Sequence, residues 1–224
     1  MPSLTVENYC KAILQLGLGT GVDWITTGQL ASRLGVSPGT VTSMLKALAE
    51  SDLANYRPYE GARLTRAGRL LALRMLRRHR LIELFLVRTL GLTWDEVHAE
   101  AENMEHAVSD RLIDRIDEFL GRPVVDPHGD PIPTADGEMR AGGNAATRLA
   151  DCQSGERFRI DRVLNQDPEF LRYLTESRLE LGTEVEIERI NREAGVLSVR
   201  GPEGTVPLGW PSAEQILGER RPRE

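Results

Sequence analysis

Apolar positions recur at steps of three and four through the first half of the chain and at steps of two through its last third. Leu4, Tyr9, Ala12, Ile13 and Leu16 mark one face of a helix over 4–17, closed by Gly17, Gly19 and Gly21. Thr26-Thr27-Gly28-Gln29 is a capping-box pattern. It opens a second helix through Leu30, Ala31 and Leu34 to Gly35. Ser37 and Pro38 then supply an N-cap and a first-turn proline for a third helix to about Glu50, burying Val41, Leu45 and Leu48. Leu53 to Thr65 predicts two short strands around a turn. From Arg66 to about Leu90 the pattern predicts one long helix. Leu70, Leu71, Leu73, Leu76, Leu81, Leu84, Phe85 and Leu86 make it apolar on more than one face. A further helix is expected over Thr93–Phe119. Thr93 and Glu96 form its capping box, and Val97, Ala101, Met104, Val108, Leu112, Ile116 and Phe119 its buried stripe.

Beyond Gly121 the texture changes. Gly121–Pro133 is rich in Pro and Gly. Its Asp126-Pro-His128-Gly-Asp130-Pro run reads as a plain loop, because the prolines offer no convergent ligand geometry. Residues 134–151, with Asp136, Gly137, Gly142, Gly143 and Asn144, read as a linker. After Cys152, Phe158–Val163, Glu184–Ile190, Val196–Val199 and Thr205–Leu208 predict short strands, with a short helix over 168–179. The expected fold is mostly α with small β parts. A winged helix-turn-helix occupies 1–74, a helical domain 75–136, a linker 137–151 and an SH3-like barrel 152–220.

Charge sharpens this division. Residues 1–80 carry 11 Lys/Arg against 5 Asp/Glu, and the remainder 17 against 29. A basic head on an acidic body suits a DNA-binding domain. Its expected DNA-contacting residues are Thr27, Ser37, Pro38, Gly39, Thr40, Thr42, Ser43 and Lys46 on the helix-turn-helix and Arg57 and Arg63 on the wing. These are small, hydroxyl-bearing or basic, so a nucleic-acid backbone can approach closely. No long apolar run marks a membrane span or signal peptide, so a cytoplasmic location is expected. Cys10 and Cys152 stand alone and suggest no disulfide framework.

The candidate chemistry lies in Glu102-x-x-Glu105-His106. These residues sit at i, i+3 and i+4 beside an apolar stripe, with His98 one turn earlier. Two carboxylates and an imidazole beside a core seam call for a positive partner, and a divalent cation is the natural one. His79 and Glu83 are spaced to share a cation, although such a pair alone is most simply a surface contact. A metallohydrolase is the rival reading, but position 102 is not the His of an H-x-x-E-H motif. A diiron Glu-x-x-His motif fails as well, because Asn103 precedes His106 by three. An enzyme is therefore not expected.

Several further motifs accompany these: Val6-Glu-Asn-Tyr9, Ser37-Pro-Gly-Thr-Val-Thr42, Leu64-Thr-x-x-Gly68, Arg78-His-Arg-Leu-Ile-Glu83, His98-x-Glu-Ala-Glu-x-x-Glu105-His106 and Gly129-Asp-Pro-Ile-Pro133. With them the chain resembles, over nearly its whole length, the diphtheria-toxin-repressor family of metal-dependent transcriptional regulators. The resemblance implies a homodimer on palindromic operator DNA, controlling metal-uptake genes. It implies a primary metal site at Asn8, Glu102, Glu105 and His106, and an ancillary site at His79, Glu83 and His98 completed by Gln166 and Glu169. Iron-responsive members carry a thiolate where Glu102 stands here, and manganese-responsive members a carboxylate. Oxygen and imidazole donors suit Mn(II), which is the expected metal, with an Fe(II)-responsive regulator as the alternative. Lys11 stands where an acidic neighbour is possible, which argues against two metals bridged from the first helix.

Overall fold

The computed structural model describes residues 3–140 and 147–221. Gly142, Gly143 and Asn144 of the expected linker lie outside them. The chain falls into two compact units: Met1–His79 with Glu105–Val108 and Pro133–Met139, and Arg80–Met104 with Ser109–Ile132 and Arg140–Glu224.

The first unit is a winged helix. Helix α1 (Leu4–Thr20) runs a turn further than its glycines suggested and ends at Gly21, in left-handed conformation. Helix α2 (Thr27–Leu34) starts with both halves of the Thr26/Gln29 capping box in place. Helix α3 (Pro38–Glu50) is capped by Ser37, whose hydroxyl accepts from the Thr40 N–H at 3.2 Å. Such a cap stabilises a helix by roughly 1 kcal/mol. Strands β1 (Ala54–Arg57) and β2 (Gly61–Leu64) form the antiparallel wing, and Ile25 pairs with Ala62 along its edge. Gly61 is obligatory there: its φ is 117°, and a Cβ would lie 2.1 Å from the Ile25 carbonyl oxygen. Ile13, Leu30, Val41, Leu45, Leu48, Leu73 and Leu76 fill the core, following the helical spacing read from the sequence, and Ile25 joins them from the wing edge.

Helix α4 (Arg66–Phe85) passes from the first unit into the second, where Leu86–Leu90 continue as a π-helical turn closed by Gly91. The single helix expected over Thr93–Phe119 is two. Helix α5 spans Val97–Met104 and α6 spans Asp110–Phe119. Ser109 starts α6 afresh, its hydroxyl accepting from the Leu112 N–H at 3.2 Å. Half of the predicted Thr93 box exists: the Thr93 N–H donates to Glu96 at 3.0 Å and holds that carboxyl below its usual range.

Six antiparallel strands complete the second unit in the order β3-β8-β4-β5-β6-β7: β3 (Thr147–Arg148), β4 (Arg157–Val163), β5 (Glu184–Asn191), β6 (Val196–Gly201), β7 (Gly204–Gly209) and β8 (Ile216–Arg221). Helix α7 (Pro168–Glu176) and the short α8 (Trp210–Ala213) cover the sheet. Alternation along β5 buries Val185 and Ile187, which join Phe158, Ile160, Leu171, Leu197 and Val199 in one core. Trp94, from the segment before α5, belongs to that same core.

Candidate metal centre and DNA-binding face

Among the described residues, each unit contains a buried cluster of ionisable side chains. The first gathers on Glu105, which has no solvent exposure. Lys11, from the buried side of α1, places its ammonium 2.8 Å from each Glu105 carboxylate oxygen. His79 Nδ1 lies 2.7 Å from Glu105 Oε2 and 3.3 Å from the Lys11 ammonium. The shorter contact is to the acceptor, so Nδ1–H donates to Glu105. His106 lies 3.4 Å from Glu105 Oε1 through Nε2, and its Nδ1 lies 2.8 Å from Glu7 Oε2. The residue of α1 that meets His106 is thus Glu7 rather than the expected Asn8. One step along a helix turns a side chain by about 100°, and Asn8 Oδ1 is buried without a hydrogen-bond partner among the described residues. His79, expected with Glu83 and His98, lies 2.7 Å from Glu105. Cys10 is fully buried, and burial, reinforced by the charge of Glu7, pushes its thiol up to about 12.

The second cluster is built on α4, α5 and the 126–130 loop. Glu83, Asp126 and His128 are all buried, and a ligand atom from each lies within 4.8 Å of the others. His128 Nε2 is 2.8 Å from the Trp94 carbonyl oxygen. A carbonyl can only accept, so Nε2 carries the proton and Nδ1 presents its lone pair. That Nδ1 has no hydrogen-bond partner among the described residues and faces Glu83 Oε2 at 3.8 Å and Asp126 Oδ1 at 4.0 Å. His98 Nδ1 lies 3.2 Å from the other Glu83 oxygen, Oε1, and its Nε2 lies 3.9 Å from Glu102.

The loop read as plain from its prolines is what assembles this cluster. Asp126 Oδ1 accepts the His128 and Asp130 N–H groups at 2.8 and 2.9 Å, an Asx turn that folds the loop back. Gly129 has φ 84° and lies against β4, where a Cβ would sit 2.1 Å from the Asp161 carbonyl oxygen. The His128 carbonyl accepts from the Val163 N–H at 2.9 Å. The sheet therefore holds the loop that carries the imidazole. Arg80 stands 3.5 Å from Asp126 and 3.3 Å from Asp130. Asp130 is also held by Arg162 at 2.5 Å and by Gln166 at 3.1 Å. Burial, then the charges of Asp130 and Glu83, raise the Asp126 carboxyl well above its usual range, and Arg80 only partly offsets them.

The donor set fits a divalent cation. Two buried carboxylates and an oriented imidazole lone pair converge without a thiolate. Gln166 meets this network through Asp130. Glu169 is exposed on the first turn of α7 and makes no hydrogen bond or ion pair with the cluster among the described residues. No other sequence signal links Glu83 to residues more than forty positions away. The Asp-x-His-x-Asp spacing around the Asx turn was the one local clue.

The helix-turn-helix face is open. Ser37, Pro38, Gly39, Thr40, Ser43 and Lys46 are exposed, Thr42 and Thr27 partly so. The Thr42 and Ser43 hydroxyls donate to the Pro38 and Gly39 carbonyls at 2.9 and 3.1 Å, which leaves their oxygens able to accept. Arg57 and Arg63 are exposed on the wing, their guanidinium carbons 4.6 and 5.4 Å from the Trp24 ring centre.

A winged helix joined to buried oxygen and imidazole donors is the build of a metal-responsive DNA-binding regulator. Family profiles match in chain order: the N-terminal DNA-binding domain of iron-dependent repressors over residues 1–62, their metal-binding and dimerisation domain over 65–134, and the FeoA domain over 147–220. The iron-dependent repressor IdeR of Mycobacterium leprae is 30% identical, covering 95% of this chain and 91% of that protein. The diphtheria toxin repressor of Corynebacterium glutamicum is 32% identical, with 86% of each chain covered. Among solved structures, a manganese-dependent transcriptional repressor in complex with manganese has a TM-score of 0.85 and 41% identity, covering 96% of this chain and 100% of that one. ScaR with bound Zn2+ has a TM-score of 0.80 and 32% identity over 97% of this chain and 99% of that one. The chain belongs to the diphtheria-toxin-repressor family of metal-dependent transcriptional repressors. Its relatives are transcriptional repressors rather than enzymes, and its matched domains are those for DNA binding and for dimerisation, which indicate DNA and a second copy as partners. No described helix is long and apolar enough to cross a membrane.

Proposed function

We propose that the chain is a manganese-responsive repressor, acting in the cytoplasm as a homodimer on palindromic operators of metal-uptake genes. Fe(II) is the second choice of metal. The observation that carries this reading is His128 Nδ1, without a hydrogen-bond partner among the described residues, facing Glu83 and Asp126 in a buried, thiolate-free cluster. Oxygen and imidazole donors accept Mn(II) readily, while Irving–Williams ordering gives Fe(II) the higher intrinsic affinity, so availability decides between them. The manganese complex of the relative at 41% identity supports the same choice.

The ligands we assign are Glu83, Asp126 and His128, with His98 held on Glu83. A bound divalent ion supplies the positive charge that offsets carboxylates buried together. The chain's own residues do the rest. Trp94 fixes the imidazole tautomer, the Asx turn aims Asp126, and Arg80 and Arg162 hold Asp130 behind it. Repression follows when the DNA-competent arrangement binds metal more tightly than its alternative; a coupling of about 1–3 kcal/mol changes operator affinity roughly 5- to 150-fold. Leu90, Leu112 and Phe119, large apolar side chains exposed in the second unit, are assigned to the dimer contact.

The test is an operator gel shift with the chelated protein across Mn(II) and Fe(II) titrations. The wild type shifts only with metal, and His128→Ala requires much more of it. A shift indifferent to chelator would overturn metal dependence. An unaltered His128→Ala titration would overturn the ligand assignment.

A further inference from the structure

As it stands, the Glu105 cluster does not fit a divalent cation. The Lys11 ammonium already engages both Glu105 oxygens at 2.8 Å. Those are the atoms a cation would use. The ammonium and the carboxylate are also both buried, so no water screens a second positive charge brought beside the first. Around them stand the other polar groups of the cluster: the His79 and His106 imidazoles and, on the far side of His106, Glu7.

We infer that the Lys11 ammonium is a covalently tethered cation that closes the Glu105 cluster without metal, so that each subunit responds to a single ion. This rests on the assignment of that ion to Glu83, Asp126 and His128. Lys11 is then a specificity-determining residue. It blocks one cluster to metal and leaves the other as the sensor. The ammonium also ties α1, which carries Lys11 and Glu7, to the 105–108 segment at every metal concentration. An ammonium needs no dissociation equilibrium to stay in place, because its four-carbon stem is anchored in a helix whose Tyr9, Cys10, Ala12 and Ile13 are core residues.

The experiment counts bound Mn(II) on the full-length, chelator-stripped protein from the electron paramagnetic resonance of the free ion, in wild type, Glu105→Gln, Lys11→Ala, Lys11→Ala with Glu105→Gln, and His128→Ala. The inference expects one tightly bound ion in the wild type, the same count in Glu105→Gln, two in Lys11→Ala, and a return to one when Glu105→Gln is added. A wild-type ion that disappears in Glu105→Gln overturns it, as does a folded Lys11→Ala that binds no additional ion. Should Lys11→Ala fail to fold, the Glu105→Gln comparison decides alone. His128→Ala is read separately: an unchanged count there refutes the assignment of the sensor site, whereas the Lys11 and Glu105 arms test the tether.

Discussion

Lys11 and Glu105 can be priced against each other in a double-mutant cycle. Their side chains are 6% and 0% exposed, and the ammonium meets both carboxylate oxygens. Removing one member of such a pair leaves an uncompensated buried charge, which typically destabilises a protein by about 3–5 kcal/mol. Lys11→Met keeps the aliphatic stem and deletes the charge; Glu105→Gln keeps the shape of its partner. Each single variant should lose about 3 kcal/mol or more in chelator. The double variant should lose clearly less than the sum, with an interaction energy of about 2–3 kcal/mol, the upper part of the range for contacting residues. The same geometry sets the penalty for a competing ion. A divalent charge about 4 Å from the ammonium is repelled by on the order of 8 kcal/mol at an effective dielectric of about 20. The assay is chemical denaturation of the full chain, with amide exchange of α1 peptides locating the loss in the first unit. Additivity within about 0.5 kcal/mol would refute the buried ion pair, because independent sites add to that tolerance.

Other consequences can be checked singly. Gly129→Ala places a methyl against the Asp161 carbonyl at a positive φ. It should lower the melting temperature and reduce the stabilisation gained on adding Mn(II), as read by differential scanning calorimetry. Arg57→Ala and Arg63→Ala should weaken binding to operator and non-operator DNA alike, each lowering the slope of log K against log salt by about 1 in fluorescence anisotropy. Cys10 and Cys152, with thiols raised to about 12 and about 11, should resist iodoacetamide at pH 8 in the native protein and react in denaturant. An ordinary thiol of pKa near 8.5 is roughly a quarter thiolate at that pH. Mass spectrometry that finds rapid native alkylation would contradict their burial.

The winged helix was legible because its information is local. Ser37, Pro38, the Thr26/Gln29 box and the 3–4 spacing of Val41, Leu45 and Leu48 each act within one or two turns. The α5–α6 break was hidden for a related reason. Apolar spacing continues through Met104, Val108 and Leu112 in phase with a single helix, and only Ser109 followed by Asp110 signals a new start. Both buried clusters were half visible. Glu83 and His98 lie on helices with readable faces, and Glu105 and His106 follow directly after α5, in the turn before α6. Their partners come from elsewhere: Glu7 and Lys11 from α1, and His128 from a loop held by strand β4. Periodicity says which face of a helix is buried, not which distant charge will meet it. The loop's prolines looked like reasons against a site, yet its Asx turn fixes the loop in the conformation that presents His128.

Trp94 has an optical consequence. Its carbonyl holds His128, its ring stacks near the imidazole with centroids 6.2 Å apart, and its indole N–H donates to Thr175 at 2.9 Å. The other two indoles lie elsewhere, Trp24 beneath the wing arginines and Trp210 beside Arg192. Paramagnetic Mn(II) at the assigned site should quench Trp94 emission, and operator DNA should perturb Trp24, so Trp94→Phe separates the two signals. The protein would then carry one intrinsic fluorophore for each of the ligands it couples.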